Sequence, residues 1–121
     1  MSAGLLRVHV LDDSDSVFLE HLRQELDDSV SLTAGPVDAG APRFEVLVAG
    51  RPDRKTLEYS PDLKRLVIPF AGLPEETRTL LLEYPSIQVH NLHHNARTTA
   101  ELGLALLLAA SKNLLGYDRA L

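Results

Sequence analysis

Short, nearly unbroken apolar runs alternate along this chain with segments whose apolar residues return every three or four positions. That alternation limits the possible folds more than any single residue does. A run buried on both faces reads as a strand of a parallel sheet, and the intervening segments read as the helices that cover it. Residues 5–11 (LLRVHVL) form the first such run, bounded by Asp12-Asp13. Asp13 or Ser14 is placed to cap a helix over 14–26, in which Val17, Phe18, Leu22 and Leu26 recur at helical spacing. Residues 30–33 give a second strand, 35–42 (GPVDAGAP) a loop, and 44–49 (FEVLVA) a third strand broken by Gly50-Arg51-Pro52. A short helix or turn falls in 56–63, limited by Pro61, and a fourth strand in 65–69.

Pro74-Glu75-Glu76 then opens a helix ending near Tyr84-Pro85, with proline at the first helical position and two carboxylates in the first turn. A fifth strand covers 87–90, and a last helix runs from about Ala96 toward Asp118. The order predicts an α/β fold: a flavodoxin-like open parallel sheet of about five strands with a long C-terminal helix. The division expected is a lobe over 1–95 and a helical connection over 96–121.

In such sheets ligands bind at the carboxyl ends of the strands. Three of those ends are chemically unusual: Ala49-Gly50-Arg51, Pro69-Phe70-Ala71-Gly72, and the His/Asn loop from His90 to Asn95. Small residues in Phe70-Ala71-Gly72-Leu73 let backbone N–H groups approach an anion, although by itself the segment also reads as an ordinary strand-to-helix turn. Arg51 is able to grip a carboxylate through two hydrogen bonds, or to stand in solvent as most loop arginines do.

Other chemistries fit poorly. The chain has no cysteine, which excludes disulfides, thiolate catalysis and Cys-type zinc sites. Seventeen acidic residues against twelve Lys and Arg, a net charge of −5, argue against nucleic acid as a partner. The longest uncharged apolar run, 102–110, is too short to cross a bilayer, so no membrane partner is expected, and the first residues lack the pattern of a secretion signal. A cytoplasmic location follows as the expectation. His90, His93 and His94 suggest metal, but the spacing lies at a strand end and no neighbouring carboxylate completes a set, so no metal site is expected. Asp12, Asp13 and Asp15 would suit a phosphate-accepting receiver domain, yet Val48-Ala49-Gly50 stands where that chemistry needs an Asp, and the fifth strand lacks its Lys. No G-x-G-x-x-G occurs, so the chain carries no dinucleotide fingerprint of its own.

Two stretches together resemble the D-isomer-specific 2-hydroxyacid dehydrogenase family. One is Asn95-Ala96-Arg97-Thr98-Thr99-Ala100-Glu101, an N-x-x-x-x-A-E entry into a Leu/Ala-rich helix. The other is Ser60-Pro61-Asp62-Leu63-Lys64-Arg65-Leu66, similar to the family's a-P-x-L-K-x-I lead into a strand. Ala71-Gly72-Leu73 falls where the family has a glycine-containing turn, and the resemblance runs from about Phe44 onward. It departs at Leu73-Pro74-Glu75-Glu76, where the family commonly has D-x-x-D.

The resemblance implies the substrate-binding lobe of an NAD- or NADP-dependent enzyme that moves hydride between nicotinamide and a 2-hydroxy or 2-keto acid. It implies substrate contacts at Gly50, Arg51, Ala71, Gly72, Leu73 and Asn95, and one cofactor contact at Thr99, on the helix leading to a nucleotide domain. The family's catalytic Arg, Glu and His lie in or after that nucleotide domain, so no catalytic residue is assigned, no cofactor is expected for this chain alone, and it is expected to be inactive by itself as a truncated enzyme. The last helix is apolar almost all round, through Leu102, Leu104, Leu106, Leu107, Leu108, Leu114 and Leu115. Such a helix needs cover, and a homodimer through it is expected. The alternatives are a stand-alone dimerising module and a free-standing small-acid binding protein.

Overall fold

The computed structural model describes residues 4–11, 16–92, 96–113, 116, 118 and 119. The chain divides into two units, Met1–Asn91 and Leu92–Leu121. The first holds β1 (Leu6–Val10), α1 (Ser16–Glu25), β2 (Val30–Ala34), β3 (Val46–Val48), α2 (Arg54–Tyr59), β4 (Arg65–Ile68), α3 (Glu75–Leu81) and β5 (Gln88–Asn91); the second holds α4 (Ala96–Ser111). No helix among the described residues is long and apolar enough to cross a membrane.

All strand pairs are parallel, in the order β2-β1-β3-β4-β5. This is the flavodoxin-like order. The register aligns Thr33, His9, Leu47, Leu66 and Val89 across the sheet. Because strand side chains alternate between faces, Leu47, Ala49, Leu66 and Ile68 share one face. All four are fully buried, and with Phe44, Leu57 and Leu63 they form the core. The opposite face is more open: Val46, Val48 and Val67 are half-buried, and only Val10 is fully covered.

His9, Thr56, Ser60 and Thr77 are the buried polar residues among those described, and His9 carries the one buried ring among them. His9 is buried, stacks on Phe44 with ring centroids 5.2 Å apart, and bonds through both ring nitrogens. Its Nε2–H donates to the Gly35 carbonyl at 2.8 Å, and Nδ1 lies 2.8 Å from Thr33 Oγ1. A carbonyl only accepts, so Nε2 carries the proton. Both nitrogens are satisfied, which removes the penalty of burying the ring.

Several element bounds differ from expectation for local physical reasons. Helix α2 spans Arg54–Tyr59, not 56–63, because Asp53 caps it: its carboxylate accepts from the Thr56 N–H at 2.8 Å and the Thr56 hydroxyl at 2.6 Å. Ser60 then ends the helix by turning back on Phe44, accepting its N–H at 3.0 Å and donating to its carbonyl at 2.6 Å. Pro74 is the N-cap of α3 and not its first residue, and α3 stops at Leu81 instead of reaching Tyr84. In α1 the inward residue is Leu19, flanked by half-buried Leu22 and Leu26, while Val17 and Phe18 are exposed. Helix α4 begins at Ala96 as expected but ends at Ser111, followed by Asn113 at φ 49, a left-handed conformation asparagine tolerates at a helix end. None of its residues is buried.

Candidate functional site

The strand order reverses between β1 and β3, since the chain goes outward to β2 and then returns to the other side of β1. In sheets of this kind the carboxyl ends beside such a reversal form a crevice. At the β1 end, Leu11 donates its N–H to the Val48 carbonyl at 3.0 Å. Residues 12–15, with the three aspartates of the receiver pattern, lie outside the described residues.

The β3 end is built closely. Ala49 continues the pairing beyond β3, its N–H donating to Val67 O at 3.0 Å. Gly50 follows, buried, and a Cβ there would stand 2.4 Å from Phe70 Cε1 and 2.5 Å from Cζ. Only glycine lets the Phe70 ring lie this close to the strand end. Two consecutive links then join the β3 end to the first turn of α3. The Thr77 hydroxyl, buried, donates to Gly50 O at 2.9 Å. Arg51 Nε donates to Glu76 Oε1 at 2.8 Å, and both of these side chains are exposed. The Glu76 carboxyl is held below its usual range, first by its own backbone N–H and then by Arg51.

Beyond the β4 end, Phe70, Ala71, Gly72 and Leu73 are exposed, and Gly72 sits at φ 85. The N–H groups of Ala71, Gly72 and Leu73 donate to no acceptor among the described residues. Unpaired N–H groups on an exposed turn are open to an anionic ligand. Helix α3 has no side-chain cap and is only seven residues long, so the turn itself, more than the helix, supplies the donors.

The structure therefore brings Gly50, Arg51, Ala71, Gly72 and Leu73 to the carboxyl ends of the neighbouring strands β3 and β4. Asn95, together with His93 and His94, lies outside the described residues. Thr99 is exposed on α4, in the other unit. His90 is exposed on the edge strand β5. No group of His, Asp or Glu able to hold a metal occurs among the described residues.

Sequence reasoning missed Phe70 as the wall over Gly50, Glu76 as the partner of Arg51, and Thr77 as the buried link. A separate cleft of about 380 Å³ lies at the other ends of the strands, between Val46, Arg65 and Gln88. Its carboxylate, Glu45, is already bonded to Lys64 at 3.3 Å and to the backbone N–H of Arg7 at 3.4 Å. Lys64, Arg65, Ser86 and Gln88 also line it, so this cleft mixes a carboxylate with two cations.

Comparison with known proteins finds no matching family model, no matching curated protein and no matching solved structure.

Proposed function

We propose that the carboxyl ends of β3 and β4 bind the carboxylate of a small 2-hydroxy or 2-keto acid, as the substrate lobe of an NAD- or NADP-dependent D-2-hydroxyacid dehydrogenase. The observation that carries the reading is the exposed 71–73 turn, with a left-handed Gly72 and three N–H groups that have no acceptor among the described residues, at the same carboxyl end of the sheet as Arg51. Such a turn offers a carboxylate several short hydrogen bonds. Arg51 adds the only kind of side chain that stays cationic at any ordinary pH and meets a carboxylate with a planar fork. The flavodoxin-like strand order and the N-x-x-x-x-A-E entry at Asn95–Glu101 support the same reading. Hydride transfer belongs to groups the family carries on a nucleotide domain, and no residue of this chain is given those roles. A cysteine-free chain suits a reducing compartment such as the cytoplasm.

The test is direct. Glyoxylate or pyruvate at millimolar concentration should shift the amide resonances of Ala71, Gly72 and Leu73 ahead of all others. Unmoved amides at saturating acid would end the proposal.

A second reading rests on its own observation. Leu102, Leu104, Leu106, Leu107 and Leu108 are each at least half exposed on α4. An apolar surface of this kind favours a homodimer through that helix, whether or not the lobe binds an acid.

A further inference from the structure

We propose that Glu76 is a built-in competitor for Arg51, so that an anionic ligand occupies the β3/β4 strand ends by displacing the Glu76 carboxylate from the Arg51 guanidinium. This rests on the carboxylate-binding reading above and adds to it a residue that sets the affinity.

The two links between the β3 end and α3 differ in kind. The Thr77-to-Gly50 hydrogen bond is buried and fixes the start of α3 against the strand. The Arg51–Glu76 pair lies outside it, with both side chains 66% exposed. Helix position is thus secured whether the outer pair is closed or open.

The outer pair is also minimally made. A guanidinium has five N–H donors, yet Arg51 uses Nε alone on one carboxylate oxygen. Arg54 shows the contrast: its two terminal nitrogens hold both Glu83 oxygens, at 2.5 and 2.9 Å, and one also reaches the Tyr84 hydroxyl at 3.3 Å. The terminal nitrogens of Arg51 have no such partners among the described residues, which leaves them to meet an arriving carboxylate before Glu76 departs. The ligand then gains what Glu76 leaves unused, the N–H groups of the 71–73 turn.

Glyoxylate titrated into the full chain, read by the Ala71–Leu73 amides and by the Arg51 Nε–H resonance, tests this. Glu76→Gln should bind roughly two- to fivefold more tightly than the parent, the range set by no longer opening an exposed ion pair. Glu75→Gln, which removes the same charge one residue away, should change binding much less. Arg51→Gln should weaken binding and abolish the gain from Glu76→Gln. Equal tightening by Glu75→Gln and Glu76→Gln would reduce the effect to general charge and overturn the inference. Parent binding unaffected by Glu76→Gln would also overturn it, while leaving the carboxylate site standing. Absence of binding by every variant would remove the site itself.

Discussion

The ring of Phe70 fills the space into which a side chain at Gly50 would project, with Cε1 only 2.4 Å from the nearest possible Cβ. Gly50→Ala therefore forces the ring away or displaces the strand end. The expected loss is about 1–3 kcal/mol, the usual penalty for overpacking. Phe70→Leu in the same chain should recover part of it. Chemical denaturation of the two single variants and the double variant measures this coupling, and strict additivity would show that the contact does not matter.

Gly72→Ala meets no steric contact, since the space around a Cβ there is empty. Its backbone is nevertheless left-handed at φ 85. The expected destabilisation is about 1 kcal/mol. A larger fall is expected in glyoxylate affinity, because relaxing the turn re-aims the N–H groups of residues 71–73. Thermal melts and ligand titration on one sample separate the two effects; unchanged affinity would mean the turn does not hold the ligand.

Ser60 pairs with both backbone groups of Phe44 inside the core. Ser60→Ala leaves a buried N–H and a buried carbonyl without that partner, at about 1–3 kcal/mol for each group left unsatisfied. Hydrogen exchange at the Phe44 amide should accelerate more than at Leu47. If both amides exchange as in the parent, Ser60 is not what secures this corner.

Asp53 and Glu83 provide the pH test. The Thr56 hydroxyl and then its N–H hold the Asp53 carboxyl below its usual range; Arg54 does the same for Glu83. Both folded-state values are depressed, so the unfolded chain takes up protons first as pH falls. Their contribution is complete above the ordinary carboxylate range, near pH 4, and is lost as pH drops through the lower folded values. Asp53→Ala should cost about 1 kcal/mol at pH 7, as the loss of a helix cap does. Its stability should also fall less steeply than the parent's below pH 4. Parallel acid-unfolding curves would contradict the assignment.

The outline of the fold was legible because it depends on patterns within single segments. Residues 5–11 and 65–69 read as strands from their own apolar content, and Ala96 as a helix start from the N-x-x-x-x-A-E entry. Helix α2 was misplaced because its boundaries are set by Asp53 and by Ser60 bonding to Phe44, sixteen positions away. In α1 the period admitted more than one inward face, and only packing selected Leu19 over Val17 and Phe18. At the candidate site, Gly50, Arg51 and the 71–73 turn stood out by residue type. Phe70, Glu76 and Thr77 did not, because their roles exist only once β3, β4 and α3 are side by side. His9 was hidden for the same reason: in sequence it is one polar residue between Val8 and Val10, and its partners Thr33 and Gly35 belong to another strand's end.

The register of the sheet has a consequence for how the chain reaches this state. Leu6 pairs with Val30, Val8 with Val46, Val46 with Arg65, and Arg65 with Gln88, so the sheet contains no hairpin and no strand pair closes locally. Each pairing must wait for a crossover segment to be laid down, and closure of such loops slows folding relative to helical bundles of similar size. During synthesis β1 can dock β2 on one side while its other edge, with His9 already beside Thr33, stays open until β3 has left the ribosome. At that stage the open edge belongs to β1, the strand that the finished sheet places between β2 and β3.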